Sequence, residues 1–178
     1  MKYLSLFSGI EAATVAWGPL GWTPVGFAEI EDFPSAVLAH RFPGVRNLGD
    51  VTRIGERELE SLGQFDLIVG GSPCQNLSIA GNRKGLEGDQ SSLFMEQMRI
   101  FELARVINGC RWLLWENVFG AFSTNRGKDF GIVLETMVGR LPRNPDRWGA
   151  AGIAVSSGGA ESLNGELLTA NISEYHQE

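Results

Sequence analysis

Apolar runs of strand length alternate with segments of helical period along the first 140 residues. Residues 3–7 (YLSLF) read as a strand closed by Ser8-Gly9, and Glu11 to Trp17 as the helix that follows. Residues 23–28 (TPVGFA) read as a second strand, ending at Glu29-Ile30-Glu31. Pro34 then suits the first turn of a helix running to about His40, because the N–H it lacks would have no partner there. Asn47 to Val51 reads as a third, short strand end, and Glu56 to Leu62 as a short charged helix. Residues 65–70 (FDLIVG) have the pattern of a buried strand, closed by Gly70-Gly71-Ser72-Pro73. The polar, glycine-rich residues 76–90 read as a long loop. Residues 91–108 place Leu93, Phe94, Met98, Phe101, Leu103, Ala104, Val106 and Ile107 near helical spacing. Residues 111–115 (RWLLW) read as another buried strand, ending at Glu116-Asn117-Val118, and Asp129 to Val138 as a helix.

Strands that alternate with helices predict an α/β fold, a mostly parallel sheet flanked by helices. In such sheets ligands bind beyond the carboxyl ends of the strands. The unusual clusters fall at such ends: Phe7-Ser8-Gly9, Glu29, Asp50, Pro73-Cys74 and Glu116. That coincidence points to one site. After Arg140 the chain turns rich in Gly, Ser, Asn and Pro with weak periodicity, and only residues 152–155 and 166–168 suggest short regular pieces. The expected organisation is therefore one folded domain over residues 1–140 and an irregular or disordered tail over 141–178.

Composition narrows the class. A chain of 178 residues can bury a core, and its 43% apolar and 20% charged content is that of an ordinary globular protein. No stretch approaches the roughly 20 apolar residues a membrane helix needs. Glu11 interrupts the apolar N-terminal run, which favours a first strand over a signal peptide. Cys74 and Cys110 give neither a metal-binding spacing nor a disulfide framework, so the expected setting is reducing and cytosolic. The net charge of −6 argues mildly against nucleic acid as a partner, although a local basic patch can coexist with an acidic whole.

Several residues could carry chemistry. The turn Phe7-Ser8-Gly9-Ile10-Glu11-Ala12 could turn backbone N–H groups toward a ligand, or be merely a tight strand–helix connection. Glu29 stands about twenty positions later, where a carboxylate can accept both hydroxyls of a ribose, and Asp50 could accept from an adenine amino group. Either could equally be a solvated loop acid or a helix cap. Cys74 follows a glycine pair at a strand end; it is a buried small hydrophobe or, if its thiolate is favoured, a nucleophile. Cys110 reads as structural. Glu116, directly after WLLW, is expected to be half-desolvated and able to hold a proton near neutrality, unless it pairs with an arginine.

The segments LFSGIEAATVAW, AEIEDFPSAVLAHRFP, GDV, DLIVGGSPCQNLSIAGNRKGL and LLWENVFGAFS resemble, in order and spacing, the motifs of the cytosine-C5 DNA methyltransferases, particularly phage and bacterial ones. The resemblance covers roughly residues 1–138. It implies a Rossmann-like fold, S-adenosylmethionine as methyl donor, double-stranded DNA with a flipped cytosine as partner, no membrane, and the cytoplasm of a bacterium or phage-infected host. It also implies roles. Phe7, Ser8, Gly9 and Glu11 match the first cofactor turn, Glu29 the ribose-binding acid with Ile30 beside it, and Asp50 and Val51 the adenine contacts. Pro73 and Leu93 match residues lining the cofactor pocket, Cys74 the nucleophile for cytosine C6, and Glu116 the acid that holds N3. Gln75 to Gly88 match a loop that closes on DNA, so that Gln75, Ser78, Arg83 and Lys84 are expected to face it.

Beyond about residue 140 the family pattern stops. Arg140, Arg143 and Arg147 lie among prolines and fit neither the spacing nor the context of the family's arginine motif, and Gln90-Ser91-Ser92 replace an expected arginine and glycine. A target-recognition domain and the returning C-terminal segment are not found, so the fold is expected to be incomplete at its C-terminus. The alternative to an active methyltransferase is a truncated or split, non-catalytic fragment that binds cofactor only or needs a second chain for target recognition.

Overall fold

A computed structural model describes residues 1–72 and 91–117, together with residues 133, 136, 137, 154–155 and 168–169. Four parallel strands lie side by side: β1 (Lys2–Leu6), β2 (Thr23–Ala28), β3 (Leu67–Gly70) and β4 (Trp112–Trp115), in the order β2-β1-β3-β4. The connections carry α1 (Ala12–Trp17), α2 (Asp32–Arg41), α3 (Glu56–Leu62) and α4 (Ser91–Ile107). This is the α/β, Rossmann-like arrangement of helices on a parallel sheet. From β1 the chain steps to β2 on one side, then crosses back to β3 on the other. The crevice at that reversal, beyond the carboxyl ends of β1 and β3, is where open α/β sheets take their ligands.

Alternation along the strands makes two apolar layers. On one face Leu4, Leu6 and Ile68 pack with Leu59 of α3 and Phe94, Met98, Phe101 and Ala104 of α4, and Val133 and Met137 join them. On the other, Tyr3, Leu67 and Val69 meet Ala13 and Trp17 of α1, Trp22 and Leu114. Tyr3 is fully buried, its ring edge-on to Trp17 at 5.1 Å and its hydroxyl 2.7 Å from Thr14 Oγ1, so its polar end is partnered inside the layer. Ile68 has no exposed surface and sits on β3 between β1 and β4. Ile68→Ala is expected to lower unfolding stability by about 2–5 kcal/mol, read as an earlier midpoint in a urea titration.

Two local expectations change. Asn47 to Val51 does not form a strand: a single bridge joins Asn47 to Phe27, and Val51–Arg53 is a 3-10 turn. The Asn47 side chain takes backbone partners itself, accepting from Glu29 N and Gly49 N, and so competes with a sheet ladder. Strand β4 is not fully buried; Trp112 is exposed and Leu113 to Trp115 are half-buried, because among the described residues it pairs on one side alone. In the tail, the short regular pieces expected around 152–155 and 166–168 hold two strands, β5 (Ala154–Val155) and β6 (Leu168–Thr169), paired antiparallel. Of the helix expected over 129–138, residues 133, 136 and 137 are helical and the rest lie outside the described residues, as does the loop over 76–90. No described helix is long and apolar enough to cross a membrane.

Candidate active site

Of the sequence-predicted residues that the structure describes, Phe7, Ser8, Gly9, Glu11, Glu29, Ile30 and Glu116 lie just past the carboxyl ends of β1, β2 and β4, Asp50 and Val51 lie at the 3-10 turn, and Leu93 lies in the first turn of α4. After Leu6 the chain turns sharply: Phe7 (φ 53°), Gly9 (φ 54°) and Glu11 (φ 69°) all adopt left-handed backbone. Glycine takes that conformation without cost, whereas Phe7 and Glu11 take it under strain, held by the turn's hydrogen bonds. Ser8 ties the turn to the neighbouring strand, its Oγ donating to Ser5 O at 2.9 Å and accepting from Ala28 N at 3.1 Å.

Glu29, one residue past β2, closes over this turn. Its Oε2 accepts from Gly9 N at 2.8 Å and its Oε1 from Glu31 N at 2.8 Å. Asn47 grips the same residue from the next loop, accepting from Glu29 N and donating to Glu29 O at 3.0 Å each. Sequence reading missed Asn47, because its partners lie 18 positions away. Ile30 is 68% exposed beside Glu29, and Val51 is buried. Asp50 caps its own short turn: Oδ1 accepts from Thr52 N and Oγ1, which hold the carboxyl below its ordinary value, while Oδ2 keeps a long, exposed contact of 3.9 Å with Arg53. Leu93 is half-buried against the α3–α4 layer.

Glu11 turns inward. It is 1% exposed and caps α1, with Oε1 accepting from Thr14 N at 3.1 Å and from Thr14 Oγ1 at 3.0 Å. Its Oε2 is buried without a hydrogen bond of normal geometry. Burial pushes its carboxyl up, against the lowering influence of Ser5 and Thr14. An acid whose folded value is raised binds its proton more tightly when folded, so ionising it costs stability as pH rises past its unfolded value. Glu11→Gln keeps the capping oxygen and cannot ionise. It should match the wild-type melting temperature near pH 4 and exceed it by about 2–4 °C at pH 8, as read by calorimetry.

At the far side of the crevice, β3 and β4 end together. Glu116 N continues the ladder one step to Gly70 O at 3.1 Å. The Glu116 carboxylate lies against the Cα of Gly71, where a Cβ would come within 2.6 Å of Oε2. Ser72 is buried, its Oγ accepting from Trp115 Nε1 at 2.9 Å and its carbonyl from Asn117 Nδ2 at 3.1 Å. Gln97, fully buried on α4, donates to Gly70 O at 3.2 Å. None of these cross-links has a sequence signal. Glu116 is exposed rather than half-desolvated, because it stands just past the last strand pair at the open edge. Pro73, Cys74, Gln75, Ser78, Arg83 and Lys84 lie outside the described residues. Cys110 is buried at the opposite, amino edge of the sheet, and burial pushes its thiol up to about 12, as expected of a structural cysteine.

A family model for C-5 cytosine-specific DNA methylases matches residues 1–139. The chain belongs to that family. Within it, this methylase-family chain is 44% identical over 146 residues to the DNA N-6-adenine-methyltransferase of Escherichia phage P1, covering 77% of itself and 19% of that protein. It is 39% identical over 128 residues to the type II methyltransferase M2.BsuMI of Bacillus subtilis, covering 72% of itself and 32% of the relative. The chain thus spans about a fifth to a third of the length of these relatives. Among solved structures, the Dnmt2 methyltransferase of S. pombe matches with a TM-score of 0.58 at 18% identity, over 76% of this chain and 41% of the other. A DNMT2 of Spodoptera frugiperda gives 0.55 at 22% identity, over 76% and 40%. These two matches show the fold. Fold and family are those of methyltransferases that bind S-adenosylmethionine.

Proposed function

We propose that residues 1–140 are the catalytic portion of an enzyme that transfers a methyl group from S-adenosylmethionine to C5 of cytosine in DNA, with residues 141–178 as a separate tail. The observation that carries this reading is the meeting of two parts at one sheet edge. Glu29 lies over the first turn, and Glu116 lies against Gly71, three residues before Cys74.

The residues present fit the methyl donor. Both Glu29 oxygens already accept from a backbone N–H, which fixes the carboxylate while each keeps a second lone pair for a ribose hydroxyl. Exposed Ile30 offers an apolar surface beside it, and Asp50 Oδ2 an acceptor for an amino group. Phe7, Ser8, Gly9 and Glu11 shape the turn beneath, and the resemblance to the family adds Val51, Pro73 and Leu93 as cofactor contacts. S-adenosylmethionine, the second substrate, supplies an electrophilic sulfonium methyl.

Cytosine C5 is a poor nucleophile until charge is pushed into the ring. The Cys74 thiolate adds at C6, and Glu116 holds a proton at N3 that offsets the negative charge developing on the ring. Once C5 is methylated, a base removes its proton and the C6–S bond breaks to free the thiolate. A base within a duplex is out of reach, so the nucleotide must first be flipped out, at a cost of a few kcal/mol. Gln75, Ser78, Arg83 and Lys84 would meet the DNA on either side of it.

A second reading, the alternative raised by the sequence, keeps the cofactor site but requires another chain to bind DNA. One experiment separates the readings. The full chain is incubated with tritiated S-adenosylmethionine and DNA, and the product nucleosides are resolved. Label in 5-methylcytosine is the expected result. Label in N6-methyladenine, the product named for the phage P1 relative, would overturn the C5 assignment. No label, with S-adenosylhomocysteine still bound in calorimetry, selects the second reading. In either case Glu29→Ala should weaken that binding about tenfold or more, having lost a charged ribose acceptor.

A further inference from the structure

The ladder between β3 and β4 ends at Glu116 N to Gly70 O, while Cys74 comes four residues after Gly70 in the sequence. Beyond that point the strand ends are joined by side chains. The indole of Trp115 reaches the buried Ser72 hydroxyl at 2.9 Å, and its ring stands edge-on to buried Phe94, centroids 5.9 Å apart. We propose that the Trp115–Ser72 hydrogen bond is a positioning clamp, fixing the segment that leads to Cys74 relative to Glu116. The inference rests on the methyltransferase reading above.

Two facts support a positional role. Cys74 is two residues beyond Ser72, so its Cα lies within about 7 Å of the clamped residue whatever path the chain takes. Trp115 is also the immediate neighbour of Glu116, so one bond links the residues flanking both reacting groups. Stability alone does not call for the pair. A buried hydroxyl and a half-buried indole N–H each need a partner, but replacing both with apolar groups of similar shape is close to neutral for folding. What the polar pair adds is direction, since a hydrogen bond fixes an approach that apolar contact leaves loose. Neither Ser72 nor Trp115 touches substrate in this scheme; both act through the groups beside them.

The test is a double-mutant cycle in the full chain: wild type, Ser72→Ala, Trp115→Phe and the two together, with Ser72→Thr as the variant that keeps a hydroxyl. Two rates are followed: covalent trapping on 5-fluorocytosine DNA with S-adenosylmethionine present, and alkylation of Cys74 by iodoacetamide. The chain has two cysteines, and Cys110 is buried with its thiol pushed up to about 12, so alkylation of the folded protein reads Cys74.

The clamp predicts that each single variant traps about tenfold more slowly, and that the double variant is no slower than the worse single. Alkylation should change at least about threefold, in the same sense in both singles and the double. The double variant should melt close to wild type while remaining slow, which a merely structural pair would not do. Ser72→Thr should keep the wild-type rates, and S-adenosylhomocysteine affinity should hold within about twofold throughout. Wild-type rates in the double variant, or losses that multiply, would overturn the clamp. A wild type that is alkylated but traps no DNA sinks the methyltransferase reading instead, and the alkylation cycle alone then decides the clamp.

Discussion

Cys74→Ser should leave the chain folded and abolish methyl transfer, by on the order of 10⁴-fold or more. Serine nearly preserves the size of the side chain but replaces a thiol with a hydroxyl, a far weaker acid and nucleophile. Without addition at C6 the cytosine ring gains no electron density at C5, and no other step in the scheme compensates. The second cysteine cannot stand in. Cys110 precedes β4 and so stands at the amino edge of the sheet, whereas the proposed site lies at the carboxyl edge. Cys110 is also buried, with its thiol held protonated. Tritium incorporation measures the loss, and near-wild-type binding of S-adenosylhomocysteine shows that the variant keeps its cofactor site. Cys110→Ala should retain transfer while melting earlier. Residual activity above about a hundredth in Cys74→Ser would remove the covalent step from the mechanism.

Much of the fold was legible because parallel strands buried on both faces read as short, nearly unbroken apolar runs. LIVG and TPVGFA could be placed within a residue or two for that reason, and the polar residue ending each run marked the functional edge. What failed depended on partners distant in sequence. WLLW reads as buried, yet β4 is half-exposed because burial is decided by which strands lie beside it. Asn47 to Val51 reads as a short strand end, but the Asn47 side chain captures the backbone groups that a ladder would use. Glu11 sits in a turn that reads as ligand-facing, while its left-handed backbone sends the carboxylate inward to cap α1. Glu29 could be selected from the sequence. That both its oxygens are pinned by Gly9 and Glu31 N–H groups could not, since those bonds follow from how β1 and β2 lie together.

Gly71→Ala is expected to slow covalent trapping and methyl transfer on the order of a hundredfold while barely changing stability. The backbone tolerates the substitution, because Gly71 is not among the residues with positive φ. The conflict is with Glu116 alone. An added methyl would come within 2.6 Å of its Oε2 and 3.2 Å of its carbonyl oxygen. The carboxylate is the free end of an exposed side chain and can swing aside, so folding survives. It cannot swing aside and still occupy the place from which it would hold a proton at N3 of the base. A misplacement of about 1 Å at a proton donor is enough for the predicted loss. Glu116→Gln, which stays in place but has no acidic proton to give, should lose a similar factor, and the double variant should lose little more than either alone. If Gly71→Ala turns over within about threefold of wild type, the carboxylate must work from another position, and the bare Cα of Gly71 is then not what sets Glu116 for the reaction.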